Sequence, residues 1–318
     1  LIAAFGSTCR VKGGPEDDAN IKALLDSQTP VCTIFGKSWT LHVKEVLQTT
    51  NEDNLRIIEQ SVAYLKSNGK RVIYDAEHFF DGYKTDSSYA LETLQAAIRG
   101  GAETVVLCDT NGGTMPWEVE QIISRMKSAL NHPFGIHTHN DSECALVNSL
   151  TAIRAGAIQV QGTINGVGER CGNANLISIM ADLELKMGYQ CLPEGKLERL
   201  YELSHFVAEV ANLAPDEHLP FVGKSAFAHK GGVHVASMRR SPQSYQHIEP
   251  EKIGNKMRVV VSDLSGRGNL LSKAEEHGVE VEGEEVVGVL NDIKELESRG
   301  FSFEAAEASV TMMLKRQE

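Results

Sequence analysis

The chain has 318 residues, 42% of them hydrophobic, and a formal net charge of −12, which suits a large core in one big α/β domain plus something smaller. Its acidity argues against a nucleic-acid partner and leaves an anionic substrate dependent on a local positive charge such as a metal. No run approaches the roughly 18 apolar residues of a membrane span, and six scattered cysteines without a CxxC pair fit reduced, cytoplasmic thiols rather than a disulfide framework.

Strand-like and helix-like segments alternate along the first half of the chain. A short apolar strand over 2–5 is followed by a helix near 19–26, a strand over 31–35 and a helix over 52–67. In that helix Leu55, Ile58, Val62 and Leu65 recur at helical spacing and Gly69 stops it. A strand over 71–80, a helix near 89–99 and a strand over 104–108 come next. Pro116 opens a helix through residue 130, as expected of an early helical proline. A strand over 134–139, a helix over 143–154 and a strand over 157–164 complete six βα units. Strict alternation with apolar strands predicts a parallel sheet, and polar residues clustered after each strand favour a (β/α)8 barrel over an open sheet. The expected fold class is therefore α/β: a partial TIM barrel with about six of eight units, followed by a helical appendage. The chain opens at Leu1 in an apolar segment, so the first barrel strands are expected upstream. Three regions are expected: residues 1–190 as the barrel, 191–255 as a helical subdomain carrying an HKGG loop, and 256–318 as a second helical subdomain leading to a regulatory domain. Within the appendage, helical periodicity covers 194–212, 284–298 and 303–316.

His137 and His139, in GIHTHND, lie two apart in a strand-like run, so both imidazoles share one face, either as half of a divalent-metal site or as two polar strand residues facing solvent. Asn165-Gly-Val-Gly-Glu-Arg-Cys-Gly-Asn-Ala-Asn175 tempts one to read a dinucleotide fingerprint. Its GxGxxxG spacing is one residue too long, and it closes the βα series where that motif would open it. It reads instead as a glycine-supported loop that brings Asn173 or Asn175 over the barrel mouth, an amide oxygen suiting a hard cation. Asp75 and Glu77 are acids in an otherwise apolar strand, hence either functional or paired with a helix. Cys108-Asp-Thr-Asn-Gly-Gly113 ends a buried strand either as a carboxylate-binding loop or as an Asp/Asn turn before a helix.

Taken together, YDAEHFFDGYK, LCDTNGG, HTHND, QGTINGVGERCGNANL and HKGGVHVASM resemble the Claisen-type acyltransferases that condense acetyl-CoA with a 2-keto acid: citramalate, 2-isopropylmalate and homocitrate synthases. FGKSW at 35–39 and the unbroken YDAEHFFDGYK point to the bacterial citramalate branch. The resemblance spans nearly the whole chain. It implies a cytoplasmic homodimer in amino-acid biosynthesis that uses acetyl-CoA, a keto acid such as pyruvate and a divalent metal (Mg²⁺, Mn²⁺ or Zn²⁺). It also implies that His137, His139 and Asn173 are metal ligands, that Thr110 holds the keto-acid carboxylate and that Glu77 is the active-site glutamate. His229 is then a catalytic histidine supplied across the dimer interface. An Arg-Asp/Glu pair on the family's first strand has no match here, and Tyr245 is the nearest candidate for a tyrosine expected beyond HKGG. Synthesis of 2-isopropylmalate or homocitrate fits the same motifs, and a non-catalytic fragment is the alternative of another class.

Overall fold

Six strands run parallel in the order β1 to β6, each hydrogen-bonded to its sequence neighbour. The structure, a computed structural model, describes residues 1–229 and 231–317 and divides into two units, Leu1–Ile179 and Met180–Glu318. The first unit runs β1 (Ala3–Ser7), α1 (Ala19–Asp26), β2 (Val31–Lys37), then α2 (Thr40–His42), which passes into a π-helical turn over Val43–Leu47. It continues with α3 (Asn51–Ser67), β3 (Arg71–Glu77), α4 (Phe79–Thr85), α5 (Ser87–Gly100), β4 (Thr104–Asp109), α6 (Pro116–Leu130), β5 (Phe134–Thr138), α7 (Ala145–Ala155) and β6 (Gln159–Gln161). The division between the units falls within α8 (Leu176–Leu185). Among the described residues no helix is long and apolar enough to cross a membrane.

The strands sort their side chains by a period of two. Cys32 and Ile34 of β2, Val72, Tyr74 and Ala76 of β3, Val105 and Leu107 of β4, and Phe134 and Ile136 of β5 pack in one core with helix residues such as Ile58, Val62, Leu94 and Ile123. The alternate positions, among them Lys37, Asp75, Glu77, His137 and Gln161, therefore face the other side. Asp75 of β3 meets Gln161 of β6 at 2.9 Å, although β4 and β5 lie between them in the sheet. In a flat sheet three strand spacings would separate them by about 14 Å, with both side chains standing perpendicular to the plane. The sheet is thus curled about this inner face. That curl makes the unit six βα units of a barrel, with the outer core under its helices.

Two strand ends differ from the periodicity. The expected strand over 71–80 stops at Glu77, because His78 adopts a left-handed conformation (φ 57°) and Phe79 and Phe80 then begin α4, fully buried. The expected strand over 157–164 contracts to Gln159–Gln161. Beyond it Thr163 N–H donates to Ala174 O and Leu176 N–H to Thr163 O, so loop pairing replaces the ladder.

The second unit holds α9 (Leu200–Val210), β7 (Ala228–His229), α10 (Gly232–Arg240), β8 (Arg258–Val259), α11 (Arg267–Glu276), α12 (Gly283–Ser298) and α13 (Glu307–Lys315). β7 and β8 pair in parallel. Leu270, Val286, Val289, Ile293, Val310 and Leu314 form its core, the apolar stripe of three short helices that none could bury alone.

Candidate active site

The strand ends of the first unit gather most of the residues that the sequence singles out. His137 closes the inner face of β5 beside Gln161, its register partner on β6, and its Nδ1 lies 3.0 Å from Gln161 Oε1. His139 follows one turn of the pleat later, its ring 5.2 Å from that of His137 and tilted by 47°. Backbone pairing opposes His139 to Asn173, reinforced by Asn140 N–H to Gly172 O at 2.9 Å and Ala174 N–H to Thr138 O at 3.0 Å. The glycine-rich loop makes this approach feasible. A Cβ at Gly172 (φ +92°) would lie 2.1 Å from Gly166 O, and one at Gly168 would lie 2.3 Å from Asn173 Nδ2. Asn175, the other amide of the loop, instead accepts from Ile177 N–H at 3.0 Å and so caps the start of α8.

His139 Nδ1 and Asn173 Oδ1 are buried with no hydrogen-bond partner among the described residues. Buried polar atoms left without a partner are costly in a protein interior, and these two belong to residues that the backbone bridge sets opposite each other. Burial first, then the neighbouring His137, holds His139 below its ordinary pKa, so its ring is neutral and its lone pair free. These donors fit a divalent cation: two imidazoles and an amide oxygen.

A charged and aromatic cluster lies at and beyond the ends of β2 and β3. Glu77 is ion-paired with Lys37 on the adjacent strand; its partner is thus a strand lysine and not a helix residue. Thr110 accepts from His78 N–H at 2.8 Å through Oγ1, leaving its own hydroxyl proton available. Asp109 accepts from the Thr114 N–H and Oγ1 at 3.2 and 2.8 Å, which is the turn alternative for this residue. The rings of His42 and His78 stand 4.3 Å apart, Trp39 stacks on His42, and His42 Nδ1 is buried without a partner among the described residues. Burial and then His78 depress the His42 pKa.

Four residues here escaped the sequence reading of the site. Lys37 is a lone cation ending an apolar strand, and Gln161 is a polar residue in a short strand; both carry the signal that marked Asp75 and Glu77. His42 lies in a helix with no repeat to flag it. Arg170 grips Asp141 with two hydrogen bonds of 2.7 and 3.0 Å and Thr110 O with a third of 2.7 Å, fastening three strand-end loops together. Asp75 is 4% exposed, and burial drives its pKa to about 7 against the weaker opposing hydrogen bond from Gln161.

His229 belongs to the second unit. Its Nε2 is buried and unpartnered among the described residues, and burial, then His234, lowers its pKa. Tyr245 stacks on His234 with 4.3 Å between rings. Lys230 of HKGG lies outside the described residues. Elsewhere in this unit Glu276, His277 and Glu307 approach closely enough to surround an ion. Lys273 already binds both glutamates and Arg258 binds Glu307, so the cluster is an ion-pair network.

Residues 14–207 match the HMGL-like family, and residues 221–300 match the homocitrate synthase post-HMGL domain-like family. The chain belongs to the HMGL-like family. It is 55% identical over 317 residues to (R)-citramalate synthase of Geobacter sulfurreducens and 51% identical over 318 residues to that of Aquifex aeolicus. In each case the match covers 99% of this chain and 60% of the relative, so the chain spans about three-fifths of their length. The solved HMG-CoA lyase of Bacillus subtilis shares its fold, with a TM-score of 0.57 and 19% identity over 68% of this chain and 72% of the lyase.

Proposed function

We propose that the protein to which this chain belongs condenses acetyl-CoA with pyruvate, giving citramalate and free coenzyme A by Claisen condensation and thioester hydrolysis. The observation that carries the reaction class is the trio of His137, His139 and Asn173, in which His139 and Asn173 pair across the backbone while His139 Nδ1 and Asn173 Oδ1 stay buried without a partner among the described residues. The likeness to citramalate synthases over almost the whole chain supports pyruvate as the keto acid.

His137, His139 and Asn173 would hold a divalent metal, which when bound supplies Lewis-acid polarisation of the keto oxygen. The Thr110 hydroxyl, already accepting from His78 N–H, donates its proton to the keto-acid carboxylate. His229, kept neutral by burial, is the base that takes a proton from the acetyl methyl group, and the resemblance to the synthases implies that a dimer partner supplies it. Glu77, held by Lys37, orients that base or the water that hydrolyses the thioester.

Thiol release by the full-length protein tests the reading, with acetyl-CoA and either pyruvate, 2-ketoisovalerate or 2-ketoglutarate. Pyruvate should give the fastest release, and chelation should abolish it. Release without metal, or none with pyruvate, would defeat the proposal; preference for another acid would reassign the substrate to 2-isopropylmalate or homocitrate synthesis. His229→Ala should lower kcat by about 10²–10⁴-fold, the usual contribution of a general base, and an unchanged kcat removes His229 from the chemistry.

A further inference from the structure

A histidine has two ring nitrogens, and only one of those of His137 can face a bound cation. Nδ1 is turned to Gln161 Oε1 at 3.0 Å, while Nε2 of the same amide donates to Asp75 Oδ1 at 2.9 Å. Gln161 stands beside His137 in register. Asp75 reaches it from β3, 86 residues away in sequence and across the inner face of the curled sheet. The chain Asp75–Gln161–His137 therefore runs through the inner face of the barrel.

Hydrogen-bond chemistry gives this chain a direction. At pH 8, above its pKa of about 7, Asp75 is a carboxylate, which only accepts, so it selects the amide orientation that points Nε2–H at Asp75. Gln161 then presents its oxygen, another pure acceptor, to His137. The ring must supply the proton at Nδ1, and its lone pair is left at Nε2. We infer that Asp75 and Gln161 are positioning residues which, from across the barrel, lock His137 in the Nδ1–H tautomer and present its Nε2 lone pair to the cation. This rests on the metal reading above.

Burial argues that the arrangement is not merely structural. Asp75 is 4% exposed and its recorded partner is a neutral amide, a costly way to fill space that an apolar side chain would fill freely. Among the described residues Asp75 has no hydrogen bond to His137 or His139, so it acts through Gln161. Ligand histidines characteristically donate their second N–H to an outer acceptor, and removing that acceptor weakens metal binding.

The test compares full-length parent, Gln161→Leu and Gln161→Glu at pH 8 after chelation. Long-range ¹H–¹⁵N correlation of the histidine rings, assigned through His137→Gln, reads the tautomer; calorimetric titration with Mn²⁺ alone reads affinity. The parent should show His137 with its proton on Nδ1. Gln161→Leu should show a tautomer mixture and bind Mn²⁺ about 10–100-fold more weakly. Gln161→Glu, still an acceptor beside Nδ1, should restore both. A folded Gln161→Leu that keeps either the parent tautomer or the parent affinity overturns the inference. Should that variant not fold, Asp75→Asn decides instead, because asparagine both donates and accepts and frees the amide to turn; an unchanged tautomer there is equally fatal. A parent that binds no Mn²⁺ would defeat the metal reading, and the tautomer comparison would still judge the relay.

Discussion

Each unit buries a charged side chain, and the two do so in opposite ways. In the second unit Lys273, 2% exposed, lies between Glu276 and Glu307 at 2.8 and 3.2 Å. In the first, Asp75 is buried almost as deeply with an amide as its recorded partner, and its pKa is pushed to about 7. A buried charge matched by opposite charges tethers helices, here α11 to α13. A buried charge left to a neutral amide costs stability, and the role inferred for this one is to orient Gln161.

Opposite signs of mutational effect would sharpen that contrast. A raised carboxyl pKa means that the folded state holds the extra proton between the ordinary value, 3.8, and about 7. Stability from this group is therefore greatest below pH 4, falls as pH rises through that window, and is fully lost above pH 7. Asp75→Asn should stabilise the chelated protein at pH 8 by about 4 kcal/mol, the gain shrinking towards pH 4. Urea unfolding of parent and variant across this range checks it, and a gain independent of pH would remove the buried charge from the explanation.

Lys273→Met should act the other way, destabilising by about 2–3 kcal/mol because charge-assisted hydrogen bonds to the half-buried Glu307 and the exposed Glu276 are lost. An unchanged urea midpoint would show that α11 and α13 hold together by their apolar core alone. Smaller still is Gly172→Ala, expected to cost about 1–2 kcal/mol for its left-handed conformation, with weaker Mn²⁺ binding as Gly166 O is displaced and Asn173 shifts. Calorimetry showing parent affinity would mean that the loop has another way to place its amide.

Much of this was readable in advance wherever the signal is local. Ile58, Val62 and Leu65 identify α3 by their spacing, and Pro116 marks the start of α6. The pair His137 and His139 share a face because any strand alternates. The reading failed where short apolar runs suit either structure. Phe79 and Phe80 extend the apolar pattern of β3, yet the left-handed turn at His78 sends them into α4. Only the folded loop tells Asn173 from Asn175, pairing the first with His139 through the backbone and using the second as a cap.

Residue order alone therefore determined the alternating βα plan, the outer core and the two histidines on one face, since each depends on neighbours within a turn or a pleat. The curl of the sheet decided what those residues meet: Asp75 with Gln161, Glu77 with Lys37, and Arg170 across three loops. Twist accumulates over many strands, and no short stretch of sequence encodes where a side chain from one strand will find another several strands away.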